Sequence, residues 1–464
     1  MATIAAVSPR QDGESDRMSR WTGVRSTPGT RDADREGHGI ELGARWFQPP
    51  RAIGLEFVLA ILALLGGSAL FLRPMWALTD GTLKIVLSWA VLGIAAAALL
   101  WWRSRLEWLT FLWRRMPSLL FVTLLALVST LWSLEPTRSA QRGLWLLSTT
   151  LVGVCIGYNQ RPRSLMAMIA WVSGCMLLLS IIVVLAFPDT GLSPGQWRGV
   201  LFSGAEIKEW RGIFLNKNEM GALASATLTF FLVAAVHGRL PRVYAAALAM
   251  LSGIVVVMSG SATAAALTAL SLLTIATFTL SRRVKFTYQT LIIAALLAVP
   301  AWLFIMLQFD MFTGALNRDP TMTSRTQIWQ DALVAIRDAP LIGHGYHAVW
   351  VWDDSTWFPQ LRSTKLAAHA HNGYLQVAAD LGVPAAFAAA ALMIWIGARS
   401  FDVYVRTGSA FAFFCFVYTV WFMVFNVTET RLFQMRRLDW IIFVALAVAF
   451  VKSINPARPT KDSR

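Results

Sequence analysis

Residues 165–187 read LMAMIAWVSGCMLLLSIIVVLAF, an apolar run with no charged side chain. About 20 such residues in a helix cross the hydrocarbon core of a bilayer. Similar runs lie near 53–72, 83–102, 117–134, 143–159, 213–236, 243–259, 262–280, 287–309, 384–400, 409–427 and 438–452. Composition agrees with this reading. Of 464 residues, 56% are hydrophobic and 14% charged, and the mean hydropathy is +0.54. Soluble domains are about 45–50% apolar and about 25% charged. The sequence therefore predicts an all-α polytopic membrane protein with about twelve transmembrane helices. Its 41 Lys and Arg against 26 Asp and Glu then point to basic cytoplasmic loops and membrane lipid, not nucleic acid. Cys155, Cys175 and Cys415 all sit in apolar runs and form no disulfide framework or zinc motif.

Residues 1–52 are polar, lack an apolar signal sequence and read as a disordered cytoplasmic tail. Residues 53–309 carry spans one to nine, 310–383 form a large outer loop, 384–452 carry the last three spans, and 453–464 form a second tail. The positive residues of alternate short connections, among them Arg114, Arg161, Arg239, Arg282 and Arg406, put both termini inside. Arg431, Arg436 and Arg437 fall on the opposite side as an exception. Two outer connections are long, from Pro188 to about Gly212 and from Asp310 to Val383; such loops are uncommon unless functional or disordered. The second holds Trp329, Tyr346, Trp350 and Tyr374, which predicts an ordered cap. The segment Trp101–Met116 interleaves Trp and Arg, as an interfacial amphipathic helix or a basic flank would. Ser259-Gly260-Ser261 either separates two spans or sits within one helix.

Four of the six histidines, His344, His347, His369 and His371, fall in the large loop. Histidine suits proton transfer near neutral pH, although capping and backbone bonding are its ordinary uses. His369-x-His371 and His344-x-x-His347 are also chelate-like spacings, with Asp353 and Asp354 nearby, but no recognisable zinc motif appears. Thr323 or Ser324 is expected to cap a helix there, with Arg325 in its first turn. That Arg either holds an anion against the free N–H groups or is simply exposed. The other long loop ends in Glu209, Arg211, Lys217, Asn218 and Glu219, flanked by Gly212 and Gly221. Arg211 and Lys217 either snorkel to the interface or neutralise a diphosphate. Spans near 243–259, 262–280 and 287–309 have no ionisable centre, which favours interfacial chemistry over an ion-coupled carrier.

Three segments together are similar to the O-antigen ligase and polysaccharide polymerase superfamily, including the ExoQ-like exopolysaccharide proteins. Trp210-Arg211-Gly212-Ile213-Phe214-Leu215-Asn216-Lys217-Asn218-Glu219-Met220-Gly221 resembles the family's R-G-x-F-x-x-K-N-x-x-G stretch. Arg325-Thr326-Gln327-Ile328-Trp329 and Pro340-Leu341-Ile342-Gly343-His344-Gly345 resemble R-x-x-I-W and P-L-x-G-x-G. His371-Asn372-Gly373-Tyr374-Leu375, with Asp380-Leu381-Gly382, resembles A-H-N-x-x-L and E-L-G, Asp380 replacing the usual Glu. Leu131-Trp132-Ser133-Leu134-Glu135-Pro136 with Arg142 resembles the ExoQ-like branch.

The resemblance implies a membrane-embedded GT-C-type glycosyltransferase of the bacterial inner membrane, working at the periplasmic face without metal or other cofactor. It implies an undecaprenyl-diphosphate-linked glycan as donor and lipid A–core or a second lipid-linked glycan as acceptor. Carried over by motif, Arg211 and Arg325 hold the donor diphosphate and His371 is the general base, giving inversion; His369 is the second choice. Lys217, Asn218, Asn372 and His369 are candidate substrate-binding residues, Asn218 and Asn372 equally as structural supports. Gly373 is expected to admit a bulky sugar. A transporter or flippase of the same lipid-linked saccharides, and a non-catalytic scaffold in an export complex, are the competing readings.

Overall fold

The computed structural model describes 81–198, 206–281, 321–350 and 369–454, together with a few residues within 54–62. Thirteen helices among them are named here. They are α1 (Gly81–Ser104), α2 (Glu107–Arg115), α3 (Pro117–Val128), α4 (Pro136–Asn159), α5 (Pro162–Ala186), α6 (Lys217–Val236) and α7 (Arg242–Met258). There follow α8 (Ala262–Ser281), α9 (Thr321–Asp338), α10 (Gly373–Leu381), α11 (Val383–Thr407), α12 (Ala410–Thr428) and α13 (Leu438–Ile454). A helix stands at ten of the twelve predicted spans; 53–72 lies almost entirely, and 287–309 wholly, outside the described residues. Among the described residues five helices are long and apolar enough to cross a membrane: α5, α6, α8, α11 and α12. A sixth span arises if α2 and α3, bent by 104°, are taken together.

Of the two readings of Trp101–Met116, the structure shows a short helix, α2, over Glu107–Arg115. The segment divides between the end of α1 and α2, and Pro117 at the first position of α3 cannot continue the α2 ladder. The all-α expectation needs amendment. Within the first long connection, β1 (Leu192–Arg198) pairs antiparallel with β2 (Glu206–Trp210), Trp197 opposite Ile207. Met258 ends α7 and Ala262 starts α8, so Ser259-Gly260-Ser261 is a true turn between helices.

α4 packs between α1 and α13, while α6 packs against α7 and α8. The core is aromatic: Trp421, Trp440, Phe422, Phe425 and Phe433 are fully buried. The indoles find partners, Trp421 Nε1 donating to Ser225 Oγ at 3.0 Å and Trp440 Nε1 to Thr150 Oγ1 at 3.1 Å. This packing fixes the ends of α6, α10, α12 and α13, from which the site is built.

Candidate functional site

The centre of the site is a residue that the sequence reading missed. Glu429 follows directly on α12 and is buried. Its Oε1 accepts from Asn218 Nδ2 at 3.1 Å and from the Arg325 guanidinium at 3.3 Å; its Oε2 lies 3.5 Å from His371 Nδ1. Burial alone would raise this carboxyl. The adjacent His371 ring and the charges of Arg431 and Arg325 outweigh it and hold the group down at about 2. One carboxylate thus gathers a residue from each of the three motif segments. A signal for it existed in Arg431, Arg436 and Arg437, three cations within eight residues of Glu429 that call for counter-charges.

Each partner is set in place by local chemistry. Asn216 caps α6 by accepting from Glu219 N at 3.0 Å, which starts the helix so that Asn218 faces Glu429. Asn218 Oδ1 in turn accepts from Ser261 Oγ at 2.9 Å, tying in the turn between α7 and α8. Arg325 lies in the second turn of α9, which begins at Thr321. Neither Thr323 nor Ser324 is therefore its cap, and the guanidinium meets Glu429 instead of an anion at the helix start.

His371 has φ of +49°, an uncommon conformation for a residue with a side chain. Its backbone N–H donates to His369 Nδ1 at 3.2 Å, and the two rings are 4.1 Å apart. Burial, then the neighbouring His371, push His369 down to about 3, so it stays a neutral acceptor at physiological pH. The Ala370 N–H donates to Gln376 Oε1 at 2.8 Å, and Gln376 Nε2 donates to Asp380 Oδ2 at 2.9 Å. Asp380 itself is raised to about 7 by burial, partly offset by Gln376, the His347 backbone, Arg142 and Arg138. Asn372 caps α10, accepting from Tyr374 N at 3.0 Å and Leu375 N at 3.1 Å. Gly373 does not open onto a sugar site as expected: a methyl group there would strike Asn426 and Leu432.

The remaining motif residues build the frame. Gly343 (φ +64°) packs on the Asp380 backbone and Gly345 (φ +100°) on Ser133, positions that exclude any side chain. Leu134 N donates to His344 O at 3.0 Å and Ser139 Oγ to Tyr346 O at 2.9 Å, fastening the 131–142 segment to the same loop. His344 Nε2 donates to Ala335 O at 2.8 Å, closing the end of α9. His347 bridges Arg142 (3.1 Å) and Gln434 (3.0 Å) and is held neutral, well below its ordinary value, chiefly by burial. These two histidines are structural.

Two expected anion ligands are engaged otherwise. Arg211 donates from Nε to Thr190 O at 2.9 Å and from its guanidinium to Asp189 O at 3.0 Å. Lys217 Nζ donates to Glu209 Oε1 at 2.5 Å, so its charge is already neutralised. Beside them Arg437 pairs with Glu219, and Arg431 lies 3.5 Å from Asp439. The ligand atoms of His369, His371 and Glu429 lie within 4.8 Å of one another, close enough for a cation, but Arg325 shares the same carboxylate. Asp353 and Asp354 lie outside the described residues.

The apolar helices and this polar cluster at their ends describe a multi-pass membrane protein with a built site. Residues 245–390, which include Arg325 and His371, match the family model described as O-Antigen ligase. The chain is also 32% identical over 78 residues to the exopolysaccharide production protein ExoQ of Rhizobium meliloti (strain 1021). That alignment covers 16% of this chain and 18% of ExoQ, so it spans under a fifth of the relative's length. Both matches support a likeness to the O-antigen ligase and polysaccharide polymerase superfamily.

Proposed function

We propose that this chain is an inner-membrane glycosyltransferase. It moves a saccharide from an undecaprenyl-diphosphate-linked donor to a sugar hydroxyl at the periplasmic face. The observation that carries this reading is the His371–Glu429–Arg325 cluster. Glu429 faces Nδ1 of His371, which leaves Nε2 to take the acceptor hydroxyl's proton and a carboxylate to stabilise the imidazolium that forms. The acceptor oxygen attacks the anomeric carbon as the bond to the diphosphate breaks, and a single displacement inverts that carbon.

The departing diphosphate gathers charge, and a fixed guanidinium such as that of Arg325 stabilises it where it develops. Arg211 contributes by holding the 189–212 connection through its bonds to the Thr190 and Asp189 carbonyls. Transfer proceeds without metal because Arg325 and Arg431 already balance Glu429. The acceptor is lipid A–core in a ligase or a second lipid-linked glycan in a polymerase. The ExoQ likeness favours the polymerase.

Purified protein in nanodiscs, given lipid-linked repeats and an acceptor, is expected to release undecaprenyl diphosphate in step with product, with or without a chelator. Loss of product on chelation, restored by a divalent cation, would replace this mechanism with a metal-dependent one at His369, His371 and Glu429. Movement of lipid-linked sugar across the bilayer without product would replace it with a flippase.

A further inference from the structure

The loop before α10 turns two imidazoles toward the Glu429 carboxylate. One ligand atom from each of His369, His371 and Glu429 lies within 4.8 Å of the other two; the histidines are part-buried and the carboxylate is buried. The 3.5 Å between His371 Nδ1 and Glu429 Oε2 is close to the edge of a tetrahedral zinc site, about 3.3–3.4 Å for bonds of about 2.0–2.1 Å. Nδ1 of His371 is buried and makes no hydrogen bond among the described residues. A lone pair in that position calls for a partner.

These groups are held in place before any ion arrives. Gln376 Oε1 accepts from the N–H of Ala370, the residue between the two histidines, and so pins the loop that carries both. Glu429 Oε1 accepts from Asn218 and from Arg325, which leaves Oε2 on the side of His371. Arg325 and a bound cation therefore use different oxygens of one carboxylate. They coexist, with mutual repulsion that weakens the metal. Two imidazoles and one carboxylate oxygen suit zinc and its neighbours, whereas magnesium and calcium take six or more oxygens. Three protein ligands leave the fourth tetrahedral position to water.

We propose that His369, His371 and Glu429 form a binding site for a zinc-type divalent cation, and that the bound cation switches transfer off. An ion on Nδ1 of neutral His371 takes the lone pair there, and the single ring proton then resides on Nε2. The ring neither gains nor loses a proton, but Nε2 becomes a donor. It can no longer take the proton of an acceptor hydroxyl. Binding needs only the geometry above; the inhibition rests on the glycosyl transfer reading.

The test uses the untagged full chain in nanodiscs, with cobalt(II) alone as the first probe. Wild type should take up one equivalent and develop the strong visible absorption of a tetrahedral site, which zinc then bleaches. Magnesium and calcium should do neither. His369→Ala should weaken cobalt binding by more than about tenfold, since even the partners behind a metal ligand are worth about 10–100-fold. Arg325→Gln should bind cobalt more tightly, because a cation beside the same carboxylate is gone; a variant that only disturbs the fold would bind it less well. Zinc X-ray absorption of the wild type needs no variant and should show two imidazoles in the first shell. An octahedral cobalt spectrum, wild-type affinity in His369→Ala, weaker binding in Arg325→Gln, or a zinc shell without imidazole would overturn the proposal. Sugar transfer is measured in parallel. Zinc should stop it over the concentrations that bleach cobalt, and a chelator should restore it. Transfer that continues with zinc bound refutes the inhibition and leaves the transfer reading intact. A wild-type protein that binds cobalt as expected but transfers no sugar from any lipid-linked donor refutes the transfer reading and leaves the metal site standing.

Discussion

Glu429 Oε2 lies 3.5 Å from His371 Nδ1, and the other oxygen of the same carboxylate lies 3.3 Å from Arg325. Residues far apart in the chain therefore share one buried charge. Glu429→Gln keeps the shape and removes that charge, so the imidazolium loses its partner. Turnover should fall about 10²-fold, the lower range for an acid–base contribution, with KM changed much less. Glu429→Ala should also lower thermal stability, because it strands Arg325 in a buried place. Steady-state assays at matched membrane levels check the first outcome and thermal melts the second.

His369 carries the pH prediction. Its folded value, about 3, lies below the ordinary histidine value, so between about 6.5 and 3 the unfolded chain binds a proton that the folded chain refuses. Its contribution to stability is complete above about 6.5 and declines as pH falls. Melting temperature in nanodiscs should drop from pH 7.5 to 5, and His369→Gln should flatten that part of the curve. Glu429, held at about 2, adds a loss only below its ordinary range, so the two are separable.

Gln376 links Asp380 to the backbone of Ala370, next to His371. Gln376→Leu leaves a buried N–H without an acceptor, at a cost of about 1–3 kcal/mol. It should depress kcat more than KM because the loop, not a substrate contact, is loosened. An unchanged kcat would show that α10 holds the loop without this bond.

Gly373→Ala places a methyl group against Asn426, whose Oδ1 accepts from Arg431 N at 3.0 Å and Leu432 N at 2.5 Å. Overpacking there should cost about 1–3 kcal/mol and disturb the loop that carries Glu429. Gly174→Ala, facing open space within α5, should be neutral or stabilising because alanine favours helix. Melts of the two variants side by side give the comparison.

The helices were legible because twenty-residue apolar runs have few alternatives in a chain of this composition. The site was legible only as separate pieces. His371, Arg325 and Asn218 came from their motifs, but Glu429 sits outside all of them, and its role exists only once α12 ends beside α6, α9 and α10. Arg211 was legible as a cation, while the carbonyls of Asp189 and Thr190 that receive its hydrogen bonds were not. Lys217 and Glu209 are eight residues apart, and Glu209 lies in β2, whose hairpin with β1 gives no strong alternation to read. The arginines at 431 and 437 sit beside the carboxylates of Asp439 and Glu219, a placement that loop charge counting does not reveal.

The central claim, that His371 is the base of a glycosyl transfer, is tested most directly in a strain deleted for this gene. Wild type and His371→Ala are expressed at matched membrane levels, and surface polysaccharide and lipid-linked glycans are compared on a gel. The variant should lose high-molecular-weight polymer and accumulate diphosphate-linked single repeats. Long lipid-linked chains beside bare lipid A–core would identify a ligase using the same base. A His371→Ala strain with wild-type polymer and no accumulated donor would contradict the account.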